Sequence, residues 1–310
     1  MTYSPRVVVL LSAYNGEKYI AQQLESLFGQ ECGAQIDIKV RDDGSSDNTV
    51  SIVQSLMQEH PNLHLTEGKN MGLVGSFFEL LKDAVEQGYD YYSFCDQDDY
   101  WQSDKMQTAI DALSACKEPA MYASCSLLAD ESLAPMGQTT QTQKRPITFY
   151  NSAIQNFCPG HNQVLNHQMA LNAVNHTRVS HEIYSHDLWI TNIAATSGKI
   201  IFDNAPHALY RQHTNNQLSY GKTKLGWIKN HLKRLKSDES RKMAVQLRYF
   251  GETCRSLLND EQQRELKGFF ESQSSFFARL KYISRTVFYR QKRVETFLFK
   301  IMYLIKLYNV

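Results

Sequence analysis

Apolar positions in the first hundred residues switch repeatedly between the strand period and the helix period. Residues 7–12 form an uncharged, β-branched run that reads as a buried strand. After Ala13-Tyr14-Asn15-Gly16, the residues Ile20, Leu24, Leu27 and Phe28 recur at helical spacing. The same strand, loop, helix unit returns with residues 36–41, the loop Asp42-Asp43-Gly44-Ser45-Ser46-Asp47, and Val50, Ile52, Val53, Leu56 and Met57. A third unit runs through residues 63–66, the turn Asn70-Met71-Gly72, and a helix lined by Phe77, Phe78, Leu80, Leu81 and Val85. A fourth strand, 91–95, ends in Asp96-Gln97-Asp98-Asp99, and a helix is expected from about Asp104. This alternation predicts an α/β fold with a doubly wound, mostly parallel sheet. Ligands on such sheets sit at the carboxyl ends of the strands. Three of the four strands end there in acidic or Asn/Gly-rich loops.

From residue 121 to 143 the pattern blurs, and 139–142 reads as an exposed loop. Then come Pro159-Gly160-His161-Asn162, a helix around 186–195, a short strand 199–202, and another ending in Tyr210-Arg211-Gln212-His213. These are read as the acceptor side of the same domain. Residues 1–221 are thus expected to form one domain, with a nucleotide half of about 1–116 and an acceptor half of about 117–221. Residues 222–310 change texture. Val294, Phe297, Leu298, Ile301, Met302, Ile305 and Tyr308 fall at helical spacing among Arg290, Lys292, Arg293, Lys300 and Lys306, which predicts a basic, amphipathic helical extension.

Charge sharpens this division. The net +1 hides 20 Lys/Arg against 8 Asp/Glu in residues 222–310, a balance of +12, and 13 against 24 in residues 1–221, a balance of −11. An acidic body suits a site that holds cations. A basic tail suits an anionic surface such as a phospholipid face, and peripheral membrane contact is expected there, with no nucleic-acid partner. No window reaches the roughly 18 uncharged apolar residues that span a bilayer, and the apolar run at 7–11 is too short for a secretory signal. The six cysteines form no CxxC pair, so neither a zinc site nor a disulfide framework is indicated. A reducing cytoplasm, at the inner face of the plasma membrane, is the expected location.

Chemistry concentrates in the loops. Asp96, Asp98 and Asp99 place three carboxylates within four residues, where repulsion calls for a hard divalent cation. Capping of the following helix is the plainer reading, but it needs one carboxylate, not three. In the second acidic loop an Asp could accept from a base or ribose, or could serve turn chemistry alone, with Asp47 as a helix cap. Tyr14 could stack on a nucleobase or stand as a rim aromatic.

The ordered set Ser12-Ala13-Tyr14-Asn15-Gly16, Arg41-Asp42-Asp43-Gly44-Ser45-Ser46-Asp47, Asn70-Met71-Gly72 and Phe94-Cys95-Asp96-Gln97-Asp98-Asp99-Tyr100-Trp101 resembles glycosyltransferase family two, over roughly residues 5 to 220. The resemblance implies a GT-A fold and a nucleoside-diphosphate sugar donor. It implies that Ser12, Tyr14, Asn15, Glu17, Asp42, Asp43, Asn70, Asp96 and Gln97 line the nucleotide-sugar site, with Tyr14 and Asp43 facing base and ribose. Asp98 is implied as ligand of a Mg or Mn ion. Ser185-His186-Asp187-Leu188-Trp189 resembles the segment that carries the family's acidic base, which makes Asp187 the candidate; helix capping is its alternative. Tyr210-Arg211-Gln212-His213, followed by Asn215-Asn216, resembles the motif whose His completes the metal or phosphate site. His213 is therefore the second metal candidate and Arg211 a diphosphate candidate, since residues two apart on a strand share a face. Trp101, His186 and Trp189 are placed on the acceptor side.

The wording Cys-Asp-Gln-Asp-Asp-x-Trp with Tyr-Arg-Gln-His looks most like bacterial rhamnosyltransferases of polysaccharide assembly. This implies dTDP-rhamnose as donor and a saccharide or lipid-linked acceptor. Pro159-Gly160-His161-Asn162 departs from the Gly-Cys-Thr or Gly-Ser version of its segment. Two other readings remain: a nucleotidyltransferase, which normally shows a Gly-rich phosphate loop that Ser12–Gly16 is not, and a catalytically inactive member.

Overall fold

A computed structural model describes residues 4–213 and 238–310. The first strands form because their residues suit burial on both faces: β1 (Arg6–Ala13) has Val7 through Leu11 fully buried. It pairs in parallel with β2 (Gln35–Asp42) on one side and β4 (Tyr91–Cys95) on the other, and β2 pairs in parallel with β3 (Leu63–Glu67). The crossovers are α1 (Ile20–Phe28), α2 (Thr49–Met57) and α3 (Gly72–Glu86), all as the periodicity predicts. Next come β5 (Tyr100–Trp101), α4 (Lys105–Ser114), β6 (Ala120–Ala129) and β7 (Pro135–Thr139). After α5 (Phe149–Ser152) the chain continues as β8 (Val164–Asn166), α6 (His167–Asn175), α7 (His186–Ser197) and β9 (Lys199–Arg211).

Among the described residues nine strands form one sheet in the order β3-β2-β1-β4-β8-β6-β9-β5, with β7 on β6. The pairing is mixed: β8 runs antiparallel to β4 and β6, and β5 antiparallel to β9, while β6 and β9 are parallel. Two expectations are corrected. The blurred stretch holds the buried strand β6, whose Ala, Ser and Cys residues carry no apolar alternation because both faces are covered. The two strands expected near 199–213 are one 13-residue strand, β9, which keeps pairing with β6 across register shifts at Ser124 and Cys125.

The chain divides into two compact units. The first comprises residues 1–142, 158–179 and 197–213; the second comprises 143–157, 180–196 and 214–310. The expected boundary at Gly221 lies outside the described residues, as do Asn215 and Asn216. In the second unit α8 (Glu239–Thr253), α9 (Asp260–Glu271), α10 (Phe276–Ile283) and α11 (Arg293–Leu304) follow. They share one aromatic core with α5 and α7. Trp189 meets Phe250 at 5.2 Å, Phe149 meets Phe250 at 6.1 Å, and Phe269 meets Phe288 at 5.7 Å and Tyr303 at 4.9 Å. Trp189 and Phe149 thus take part of their packing from these helices.

Candidate functional site

At the carboxyl ends of β1, β2 and β4 in the first unit, the motif residues tie the loops to one another. Tyr14 donates its backbone N–H to Gln97 Oε1 at 2.9 Å, and Gln97 Nε2 donates back to Tyr14 O at 3.1 Å. A Cβ on Gly16 would sit 2.3 Å from Gln97 Oε1, so this clasp needs glycine there. The Tyr14 side chain, by contrast, is half exposed. Asn15 adopts φ 47 and accepts from Ser46 N through Oδ1, while Glu17 Oε2 accepts from Asn48 N and Nδ2. Ser12 Oγ donates to Ser76 Oγ at 2.7 Å.

Asp42 and Asp43 are both buried, and their carboxylates hold backbone. Asp42 Oδ2 accepts from Gly44 N and Ser45 N. Asp43 accepts from Met71 N and Gly72 N at 2.9 Å and is paired with the buried Arg41. Asp43 thereby sets the turn after Asn70, which is itself exposed. Asp47 spends both oxygens locally: Oδ1 accepts from Thr49 N and Oδ2 from Glu17 N. Asp47 thereby ties the loop to Glu17 ahead of α2, whose N-cap is Asn48 rather than Asp47.

The acidic loop after β4 resolves into two groups. Asp98 Oδ2 lies 2.9 Å from His213 Nε2, so the two candidate metal residues are neighbours. Asp96, Asp99 and His161 form a second group whose ligand atoms lie within 4.8 Å of one another. His161 Nδ1 is 3.4 Å from Asp96 Oδ2 and 3.3 Å from Asp99 Oδ2, and its Nε2 is 2.9 Å from Ser126 Oγ. Its ring stacks on Tyr210 with centroids 5.0 Å apart. Asp99 is fully buried, and its Oδ2 accepts no hydrogen bond of good geometry; the His161 contact is electrostatic. His161 was not singled out from the sequence, and its only trace there was the departure from Gly-Cys-Thr.

Electrostatics follow from burial. Desolvation, with the charges of Asp98 and Asp96, raises the Asp99 pKa to about 8 against the pull of His161. Burial and the Asp96 charge raise Asp98, opposed by His213. Burial alone would lower His161, but the Asp99 and Asp96 charges outweigh it and its pKa rises. Lys105, also fully buried, is lowered to about 8 by desolvation. Its Nζ donates to His161 O at 2.9 Å and Asn162 Oδ1 at 3.1 Å, fixing the turn that carries the imidazole.

Arg211 is buried and clamps the same loop. Its backbone N–H donates to Asp99 Oδ1, Nε donates to Asp98 O at 2.8 Å, and Nη2 donates to Gln22 Oε1 at 2.7 Å. The guanidinium also covers the Tyr19 ring at 4.5 Å. Its visible work is to position the acidic loop. Trp101 is corrected: it is 1% exposed in the core of the first unit, beneath Lys105, and offers no surface to an acceptor.

In the second unit Asp187 stands in the first turn of α7, half-buried. Oδ1 accepts from Leu188 N at 2.8 Å and from Ser185 Oγ, and Oδ2 accepts from Asn156 Nδ2 at 2.9 Å. The carboxylate is rigidly held. His186 and Trp189 are buried; Trp189 belongs to the aromatic core, which corrects its acceptor-side placement.

A model of glycosyl transferase family 2 matches residues 8–170, more than half of the chain and all of these β1–β4 loops. The chain belongs to glycosyl transferase family 2. Its similarity to dTDP-rhamnosyl transferase RfbG of Shigella flexneri is 30% identity over 216 residues, covering 67% of this chain and 73% of that protein. Chondroitin synthase of Escherichia coli is 29% identical over 107 residues, 34% of this chain and 15% of that one. Solved structures agree on the fold. TarS residues 1–349 of S. aureus, in complex with UDP, superposes with TM-score 0.58 at 16% identity over 98% of this chain and 89% of that one. Mannosyltransferase PcManGT of Pyrobaculum calidifontis, in complex with GDP-Man and Mn2+, gives 0.54 at 16% identity over 98% and 87%. The protein is thus a glycosyltransferase of GT-A fold, and the loops described above are those of its family.

The donor set of the acidic loop suits a hard divalent ion. Carboxylate oxygens are the ligands such an ion prefers, and the crowding that raises Asp98 and Asp99 is what a bound cation would relieve.

Proposed function

We propose that the enzyme transfers rhamnose from dTDP-rhamnose to a hydroxyl of a saccharide or lipid-linked acceptor in cell-surface polysaccharide synthesis, with inversion at the anomeric carbon. The observation that carries this reading is the pairing of Asp98 with His213, 115 residues apart in sequence, in a chain 30% identical to a dTDP-rhamnosyl transferase. Asp98 and His213 would hold a Mn or Mg ion, whose chemistry is Lewis-acid neutralisation of the departing diphosphate. His161 balances the Asp96 charge and stands against the Asp99 carboxyl, and Arg211 and Lys105 keep the loop in place.

Tyr14 offers its exposed ring to the base, and Ser12, Asn15, Glu17, Asp42, Asp43, Asn70 and Gln97 shape the nucleotide pocket, chiefly by holding backbone. Asp187 takes the acceptor proton as its oxygen attacks. Ser185 and Asn156 fix the orientation of that carboxylate. The test is a thermal-shift and transfer screen of purified enzyme against nucleotide sugars with Mn present. dTDP-rhamnose should stabilise most and be consumed; stronger stabilisation and turnover with a UDP- or GDP-sugar would displace the rhamnosyl assignment.

A further inference from the structure

Helix α11 is apolar on two opposite sides. Glu295, Phe299, Met302 and Tyr303 are buried, and Phe299 and Tyr303 join the aromatic core of the second unit. Val294, Phe297, Ile301 and the following Ile305 fall on the other side, at spacings of three or four residues, and remain exposed, Phe297 at 63% and Ile305 at 59%. The adjoining α10 repeats the pattern. Arg279 and Ile283 are buried, and Arg279 Nε donates to Leu304 O at 3.0 Å, tying α10 to the end of α11. Phe276, Phe277 and Leu280 lie outward, with Phe277 79% exposed. Of the twelve exposed large apolar residues among those described, eight lie between positions 276 and 305. A soluble helix ordinarily keeps one apolar stripe and turns polar residues to water, so the second stripe calls for a partner.

Charge decides which partner. Residues 276–310 carry eight Lys/Arg against the single acid Glu295, a balance of +7. Lys281, Arg285, Arg293 and Lys306 are exposed beside the apolar stripes. A second copy of the chain would bring this basic face against its own like. The stretch 214–237 has six Lys/Arg and no acid, so it too would meet the face with like charge. No helix among the described residues is long and apolar enough to cross a membrane. Aromatic and aliphatic side chains ringed by Lys and Arg fit the headgroup and acyl boundary of an anionic bilayer, where the rings enter and the cations pair with phosphates.

We propose that α10 and α11 form an in-plane membrane-docking face, with Phe276, Phe277, Leu280, Phe297, Ile301 and Ile305 as the inserted side chains and an anionic lipid surface as the partner. The full chain should float with phosphatidylcholine vesicles containing phosphatidylglycerol and stay behind with phosphatidylcholine alone. High salt should weaken binding, since part of it is screened attraction. F277S/F297S should lower vesicle partition at least about tenfold, with an unchanged melting curve and unchanged nucleotide binding. K281E/R285E/R293E should lose the preference for anionic lipid. On the unmodified chain, anionic vesicles should slow hydrogen exchange in α10 and α11, a readout that needs no variant to fold. Equal flotation of wild type and F277S/F297S, equal partition to neutral and anionic vesicles, or no exchange protection overturns the proposal. So does a wild-type dimer by light scattering that F277S/F297S converts to monomer, since that assigns the face to a second copy.

Discussion

The two units depart from the ordinary sorting of residues in opposite directions. The first buries charge: Arg41, Asp42, Asp43, Asp99, Lys105, His161 and Arg211 are all nearly inaccessible. The second exposes apolar bulk on α10 and α11 while its aromatic core is closed. Each departure costs folding free energy, since buried ions lose hydration and exposed rings order water. Buried charge at strand ends marks a place where charge on a ligand is handled, whereas an exposed apolar stripe marks a surface that another phase or partner covers. The second unit also holds Asp187, the carboxylate proposed as the base, by neutral donors rather than by ions.

The sharpest way to break this comparison is to remove chemistry from one unit without touching the other. Asp187→Asn keeps the shape and the bonding to Leu188 while abolishing the base, so transfer should fall about 10²–10⁴-fold with donor affinity and melting near wild type. Near-normal single-turnover transfer would remove Asp187 from the mechanism. Asp98→Asn should do the converse: Mn-dependent donor binding and turnover drop about 10²–10³-fold, measured by calorimetry with and without EDTA. If wild-type nucleotide affinity is the same with EDTA, the acidic loop holds no catalytic cation. His161→Ala should weaken the apparent Mn affinity about 10–100-fold, the usual loss when a supporting partner is removed. A loss as deep as that of Asp98→Asn would make His161 a ligand rather than a positioning residue.

The smallest effect concerns pH and stability. Asp99 keeps its proton in the folded state up to about pH 8, while an unfolded carboxyl releases it near 3.8. Between those values the folded chain binds more protons, so stability should fall as pH rises. Asp99→Asn has no such proton, and its denaturation midpoints at pH 5 and pH 8 should lie closer together than those of wild type. Parallel pH slopes in the two proteins would show that His161 already compensates Asp99 in full.

Legibility differed between regions for physical reasons. Local spacing determined β1 to β4 and α1 to α3, because a repeat of apolar residues commits the backbone wherever it folds. The acidic loop, the Asp-Asp-Gly-Ser loop and the Tyr210–His213 segment were readable as short motifs, and they brought the family with them. By contrast β6, rich in Ala and Ser, and the three-residue β8 exist only because neighbouring strands complete their hydrogen bonds. Trp101 and Trp189 carried the same letters as recognition aromatics, and only packing made them core.

The sequence by itself determined the fold class, the family and the acidic loops at the strand ends, since these rest on local period and motif. Only the tertiary structure decided that His213 meets Asp98, that His161 sits against Asp96 and Asp99, and that Gln97 clasps the Tyr14 loop. Only it showed that α11 is apolar on both sides, with one side uncovered. Such pairings join positions tens of residues apart, and no spacing along the chain encodes them. They arise when the sheet's strand order brings separate loops to one edge, and the burial found there sets the charge each group can carry.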